Sequence, residues 1–397
     1  MLKKLPRVLI IGGDHHNTLA MIRCFGEKEI DLRILLHTEK SDISDIHLAS
    51  SRYAENKIEL VGENSEAIMD ALFRNILPNE KQVLFPCSDF AEYIIDSHVD
   101  ELKNSYILPG FQNYPGKVAC LMNKMQQKMF AEKYHIPMAK TWLIKKENDI
   151  FSVPPDIIFP CILKPELSAM GSKGDIKICY TEQELTIALL ELSKKGYATI
   201  LLQQFLKKIY EVCAFGAMFD IAPHYSGGIT KKINEYPPEG GGSLTFAQFT
   251  KSEAIEKAVN QVRDVLFDLG YRGMYDIEFL VCENKIYLNE INFRHSGNGY
   301  ALIQNGVYSP YFYYLSVIDA DLPTDGLFNI NKEYFHMDEM LELQLLKSGG
   351  ISVKNFIKSI FKAKAFAKFD IHDLKGSFAY YNWIFVYIRN KLFKKST

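Results

Sequence analysis

Between Gly273 and Gly299 the chain reads GMYDIEFLVCENKIYLNEINFRHSGNG, and no other stretch narrows the fold as much. The segment 274–281 alternates, which puts Asp276 and Glu278 on one face of a strand and Tyr275, Ile277 and Phe279 on the other. A short turn at Glu283, Asn284 and Lys285 leads into a return strand over 286–293, on which Glu290 and Asn292 share a face. A three-residue turn sets Glu278 directly across from Glu290, whereas a slip of one residue would flip the faces. Two carboxylates opposed across a ladder repel. A divalent cation between them reverses that sign. Oxygen donors without Cys or His select a hard ion: Mg²⁺, which usually completes its octahedron with substrate phosphates, or Mn²⁺ in its place. Arg294, just beyond, suits a phosphate or a carboxylate. The pattern also admits a hairpin whose acidic side is merely solvated.

The 397 residues give room for two or three domains with cores of their own. With 47% hydrophobic and 24% charged residues the chain is ordinary globular protein, and its net charge of −2 argues against nucleic acid as a main partner. Seven cysteines stand singly, with neither a CxxC pair nor zinc spacing, which fits a reduced, cytoplasmic setting. The opening MLKKLPRVLIIGGDHHN has too short an apolar run for a signal peptide and reads as a first strand. No segment reaches the roughly 18 apolar residues that span a bilayer.

From the start the pattern is α/β. Strands are expected at 7–11, 31–36 and 83–86, with helices at 17–26 (capped by Asn17), at 65–76 and from Phe90. Strands alternating with helices predict a parallel, doubly wound sheet, whose ligands lie at the strands' carboxyl ends. That nominates residues 12–16 and the pair Ser88 and Asp89, although no GxGxxG is present and His15 and His16 read as ordinary loop residues.

After a boundary loop at 108–116, one long helix is expected over 117–134, carrying Lys124 and Lys128. A smaller module follows. The strand 159–164 runs into the glycine-rich loop ELSAMGSKGD (166–175) and out through 176–180, a flap whose free N–H groups can cover phosphates above Lys164. A helix over 181–195 leads to a strand at 198–205. Gln203, Gln204, Phe205 and Leu206 then form a connector between two sheets that offers its backbone to an adenine edge, with Glu211 in reach of ribose hydroxyls. Taken singly, each of these is also an ordinary loop or connector.

In order, LMNK, ILKP with its glycine loop, LLQQFL…YE, DIEF and NEINFR resemble the ATP-grasp superfamily over about 113–320. The resemblance implies a pre-ATP-grasp parallel α/β domain (1–115), an ATP-grasp domain of α+β type (116–322, with a lid at about 140–205) and a helical C-terminal extension (323–397). It implies that Lys124 and Lys164 contact ATP phosphates, the latter also in catalysis, under a flap containing Ser168, Gly171, Ser172 and Gly174. Gln203, Gln204, Phe205 and Leu206 would frame adenine and Glu211 the ribose. Glu278, Glu290 and Asn292 would bind Mg²⁺, and Arg294 would stabilise the transferring phosphoryl group. Gln204 stands where many members carry Glu, and Ser172-Lys173 where a Gly-Gly pair is common.

The implied chemistry activates a carboxylate as an acyl phosphate, which an amine attacks. No side-chain nucleophile is required, and none stands out. KKINEYPPEGGGS (231–243) resembles a loop of amino-acid and peptide ligases, including D-aspartate ligases of cell-wall synthesis. Lys232, Gly241 and Ser243 would then lie near the phosphoryl and acceptor sites, with His295, Ser296 and Gly297 binding the carboxylate substrate. A kinase on the same frame, or a nucleotide-binding protein without catalysis, remains open. The partners implied are small-molecule carboxylates and amines; the oligomeric state is not readable. Amphipathic helices are expected at 337–347 and 353–366. The tail 378–395 sets aromatic residues beside four cations, which suits either the inner face of a membrane or a helix docked on the body.

Overall fold

The computed structural model describes residues 5–147, 150–166, 175–237, 242–283, 285–324, 326–330 and 332–381. Its first strand, β1 (Val8–Gly12), is apolar and buried at every position. A strand buried on both faces belongs inside a parallel sheet, and β1 has a parallel neighbour on each side. With β2 (Leu32–His37), β3 (Ile58–Val61), β4 (Gln82–Pro86) and β5 (Tyr106–Ile107) the order is β3-β2-β1-β4-β5. The intervening helices are α1 (His16–Glu27), α2 (Ser65–Arg74) and α3 (Asp89–Ser97), followed by the single turn α4 (Val99–Leu102). The chain leaves β1 in one direction to β2 and later returns to pair β4 on its other side, so the switch point opens at residues 12–17 and 88–89. His15, not Asn17, caps α1, accepting from the Asn17 N–H.

After β6 (Gly110–Phe111), two helices stand where one was expected: α5 (Lys117–Leu121) and α6 (Lys124–Lys133). Asn123 breaks the run, because its side chain accepts from the N–H groups of Met125 and Gln126 and so starts a new helix. The lid has β7 (Thr141–Glu147), β8 (Ile150–Phe151), β9 (Cys161–Lys164), β10 (Lys177–Cys179), α7 (Glu182–Lys194) and β11 (Thr199–Gln204). Its antiparallel sheet, ordered β10-β9-β11-β7-β8, has its own core around Leu163, Leu189 and Leu202.

The central sheet takes β12 (Tyr210–Met218), β13 (Tyr225–Tyr236), β14 (Ser243–Phe249), β15 (Tyr271–Val281) and β16 (Ile286–Asn292), packed against α8 (Glu253–Asp268). Half of the expected loop 231–243 is therefore strand: 231–236 ends β13. After α9 (Tyr300–Ile303) and α10 (Ser309–Val317) the extension contributes β17 (Tyr334–Met337), α11 (Glu339–Lys347), α12 (Val353–Lys362) and β18 (Ala363–Phe366). It is thus not helical throughout. β17 pairs with β14 and β18 with β17, lengthening the central sheet. Four-residue strands are too short to announce themselves by periodicity.

The extension is tied to the first domain by a buried network. Arg23 of α1, fully buried, donates to Asp373 Oδ2 at 2.9 Å and to the Lys368 carbonyl at 3.0 Å. Ser51 Oγ and the Arg52 N–H also donate to Asp373. A final helix begins at residue 374 and is described to 381. There Tyr380 stacks on His47 and the Tyr381 hydroxyl donates to Glu339, so this start of the tail is docked on the body. The rest of the tail, with Trp383, lies outside the described residues. Among those described, no helix is long and apolar enough to cross a membrane.

Candidate active site

The β15–β16 hairpin reaches its expected register by another route. Val281 pairs with Ile286, so residues 282–285 form a four-residue connection where three were expected. That register alone would set Glu278 across from Asn289. A β-bulge there adds one residue, and beyond it Glu278 faces Glu290 and Asp276 faces Asn292. The Asn289 side chain donates to Glu278 Oε2 at 3.3 Å.

The crowding of acids acts on their protonation. Burial, then the charges of Asp276 and Glu290, push the Glu278 carboxyl up to about 7. Burial also raises Asp276, against the pull of Arg294. Asp276 Oδ1 is buried and has no hydrogen-bond partner among the described residues. Cys213 adds a thiol to this cluster, its sulfur lying with an oxygen each of Asp276 and Glu278 within 4.8 Å of one another. Burial keeps that thiol protonated, however, so the donors on offer are oxygens. An orphaned carboxylate oxygen among acids that resist ionisation is the environment a hard divalent cation relieves.

Helix α6 is pinned to the edge of the sheet. The Gln127 side chain donates to the Ile291 carbonyl at 2.8 Å and accepts from the Ile291 N–H at 2.9 Å, filling the free edge of β16. Lys124 at the start of α6 thereby comes 3.9 Å from Glu290 Oε1. Lys164 donates to Gln203 Oε1 at 2.9 Å, and Gln203 in turn donates to Thr141. Burial, aided by Lys124, lowers Lys164 to about 8, as expected of an ammonium awaiting an anion. Glu166, which the sequence did not single out, joins lid to body by accepting from Asn123 and Thr199.

The connector from lid to central sheet has less free backbone than expected. The Gln204 and Phe205 N–H groups already bond the Lys140 and Pro160 carbonyls. Among the described residues this leaves the Leu206 N–H for a ligand. Farther along, burial would raise Glu211, but Lys232 and Lys208 outweigh it and hold the carboxyl below its usual range. Lys232 sits on β13 beside Glu211, within reach of the charge on Glu278.

Lys124, Lys164, the 203–206 connector, Glu211, Lys232 and the acidic ladder line one cavity of about 1230 Å³, together with Asn292, Arg294, Ser243, Ser296 and Gly297. Its far wall comes from the other two parts of the chain: Asp14, His15, His16, Asn17 and Asp89 from the first domain, and Asp338, Lys368 and Tyr380 from the extension. Arg294 bridges the parts, donating to Asp89 at 2.8 Å with Asp276 at 3.6 Å. The 296–298 loop approaches α1 so closely that a Cβ on Gly297 would lie 2.8 Å from His16 Nε2. Burial and the neighbouring His15 and Lys368 hold His16 neutral. The two histidines, the cap and the first residue of α1, thus face the cavity.

Two nominated residues stay off the cavity wall. Ser88 caps α3 and contacts His37 at 2.9 Å. His295 is buried behind the wall, where burial lowers it to about 3, and offers only its carbonyl, to Asn17 and Arg294. Ser168, Gly171, Ser172, Gly174 and Gly241 lie outside the described residues. Asp276 was visible from its i, i+2 spacing to Glu278. Nothing local marked Asp338 or Lys368, an ion pair with both oxygens at 2.7 Å.

The ATP-grasp domain family matches residues 129–310. The chain is 24% identical over 220 residues to formate-dependent phosphoribosylglycinamide formyltransferase of Wolinella succinogenes, spanning 53% of this chain and 54% of that one. It thus spans about half the length of this curated relative. In structure it resembles carboxyaminoimidazole ribonucleotide synthase from Aspergillus clavatus complexed with ATP, with a TM-score of 0.62 and 16% identity over 85% of this chain and 82% of that chain. It also resembles L-amino acid ligase from Bacillus licheniformis, with a TM-score of 0.58 and 15% identity over 80% and 74%. At such identities the likeness shows the fold: a parallel α/β domain followed by an ATP-grasp domain.

Proposed function

We propose, with residues 129–310 as an ATP-grasp domain for premise, that this protein is an ATP-dependent carboxylate–amine ligase. It joins the two through an acyl phosphate and releases ADP and phosphate. One observation carries the reading: Lys124, Lys164, the acidic ladder and Arg294 share a single cavity with a polar wall from the first domain and the extension. A nucleotide alone needs less room than about 1000 Å³, the upper end of ordinary ligand pockets.

On this reading Lys124 and Lys164 hold the ATP phosphates, the Leu206 N–H meets the adenine edge, and Glu211 takes the ribose hydroxyls. Glu278, Glu290 and Asn292 hold Mg²⁺ or Mn²⁺, which the orphaned Asp276 oxygen also favours. A divalent ion held there would supply charge neutralisation to the transferring phosphoryl group. Arg294 stabilises the same charge from the acceptor side. The amine nitrogen then attacks the acyl carbon, phosphate leaves, and the proton the nitrogen sheds passes to a base. Neutral His16, whose ring makes no hydrogen bond among the described residues, fits that role. The likeness to an L-amino acid ligase makes amino acids the first substrates to try.

The cytoplasm, with its ATP and Mg²⁺, is the setting that suits this chemistry and seven free cysteines. The tail's four cations and Trp383 lie beyond residue 381, outside the described residues. The test incubates the protein with ATP, Mg²⁺ and paired amino acids. The expected result is ADP and phosphate release that depends on the amine, with an amide product. AMP and pyrophosphate, or a phosphorylated product formed without amine, would sink the reading.

A further inference from the structure

Helix α12, VKNFIKSIFK, faces outward with its apolar side. Its one buried residue is Ser359. Val353, Ile357, Ile360 and Phe361 are 61%, 47%, 40% and 82% exposed. At helical spacing those four fall on one continuous arc, and Lys354 and Lys358 continue it beyond Phe361. On the opposite edge Phe356 packs with Phe335 and Phe246, and Ser359 beside it is buried. Lys362 lies over the Phe335 ring at 4.9 Å, which leaves Lys354 and Lys358 as the outward cations. Neither forms an ion pair among the described residues. From residue 351 to 369 the sequence has five lysines and no acid. An amphipathic helix tethered by its polar edge, with aromatic and aliphatic side chains in water beside uncompensated cations, has the layout of an interfacial helix.

We propose that α12 docks this protein on an anionic lipid surface, with Ile357, Ile360 and Phe361 at the headgroup–acyl boundary and Lys354 and Lys358 at the lipid phosphates. The inference does not depend on the ligase reading. Charge selects this occupant over two others. A second copy packing its α12 antiparallel on the same face would set lysine row against lysine row. The tail 382–397 carries Arg389, Lys391, Lys394 and Lys395 without an acid, so it too is repelled by that flank.

The full chain is sedimented with vesicles of phosphatidylcholine alone and of an equal mixture with phosphatidylglycerol. It is expected to bind the mixture and not the neutral vesicles. Ile357→Asp with Phe361→Asp should cut that binding roughly tenfold or more. Lys354→Gln with Lys358→Gln should weaken it roughly 30-fold, at about 1 kcal/mol per basic residue near the surface. Both variants should keep the wild-type melting temperature, since every substituted side chain is exposed. Indifference to lipid charge, or α12 variants that bind like wild type, would overturn the proposal. So would a wild-type dimer in light scattering that Ile357→Asp with Phe361→Asp dissociates, because the face would then join copies of the chain.

Discussion

Glu290 is placed against its own electrostatic interest. It faces Glu278 across the ladder, and the mutual charge is part of what lifts Glu278 toward neutrality. Lys124 at 3.9 Å offsets only part of this. Glu290→Gln should therefore leave the melting temperature unchanged or higher, because a repulsion is relieved. It should lower Mg·ATP turnover roughly 100-fold or more, as when a group aimed at transition-state charge is lost. Wild-type turnover in the variant would show that the ladder is not the metal site. At this scale the sequence was legible where chemistry is local: Glu278, Glu290, Asn292 and Arg294 lie within one hairpin and advertise one another. His16 was not legible. Its neighbourhood is made by a loop far along the chain, where Asn17 and His295, 278 residues apart, are hydrogen-bonded.

Within the ATP-grasp part, elements were harder to bound than to find, and two of the misses have a common cause. Asn residues altered backbone courses that apolar periodicity alone describes as continuous. Asn123 divides one expected helix into α5 and α6, and Asn289 sits at the bulge that restores the hairpin's register. Both breaks serve the site, since the first lets α6 begin at Lys124 and the second returns Glu290 to the acidic face. What then holds α6 in place is Gln127, buried at 1% exposure between α6 and the edge of β16. Gln127→Ala would leave the Ile291 N–H and carbonyl without partners, at a cost of roughly 2–4 kcal/mol for two buried groups. As Lys124 drifts from Glu290, the KM for ATP should rise with it. Denaturant unfolding and initial rates check the two effects separately. A KM that stays put while stability falls would mean that the clamp holds the sheet but not the lysine.

For the whole molecule, the first two parts of the chain were readable as successive α/β layers, whereas the extension's contribution was not. Its strands are short, and its cavity residues Asp338, Lys368 and Tyr380 acquire meaning only by docking against α1 and the 296–298 loop. That docking depends on a charge pair with almost no solvent: Arg23 and Asp373 are both 0% exposed. Such pairs add little when intact, but breaking one strands the survivor in a low dielectric. Asp373→Ala should therefore cost about 3–5 kcal/mol, read as a lowered denaturation midpoint. Replacing both partners, as Arg23→Met with Asp373→Leu, should recover part of that loss, because neither member of the pair is stranded, while Asp370, 3.9 Å from Arg23, loses its cation. The kinetic consequence separates a cavity wall from a mere strut. The extension supplies Asp338, Lys368 and Tyr380 to the wall shared with Asp14–Asn17 and Asp89. If the second substrate binds there, as the proposed function has it, Asp373→Ala should raise its KM more than that of ATP. Equal rises would mean that the extension steadies the domains without shaping the acceptor's end of the site.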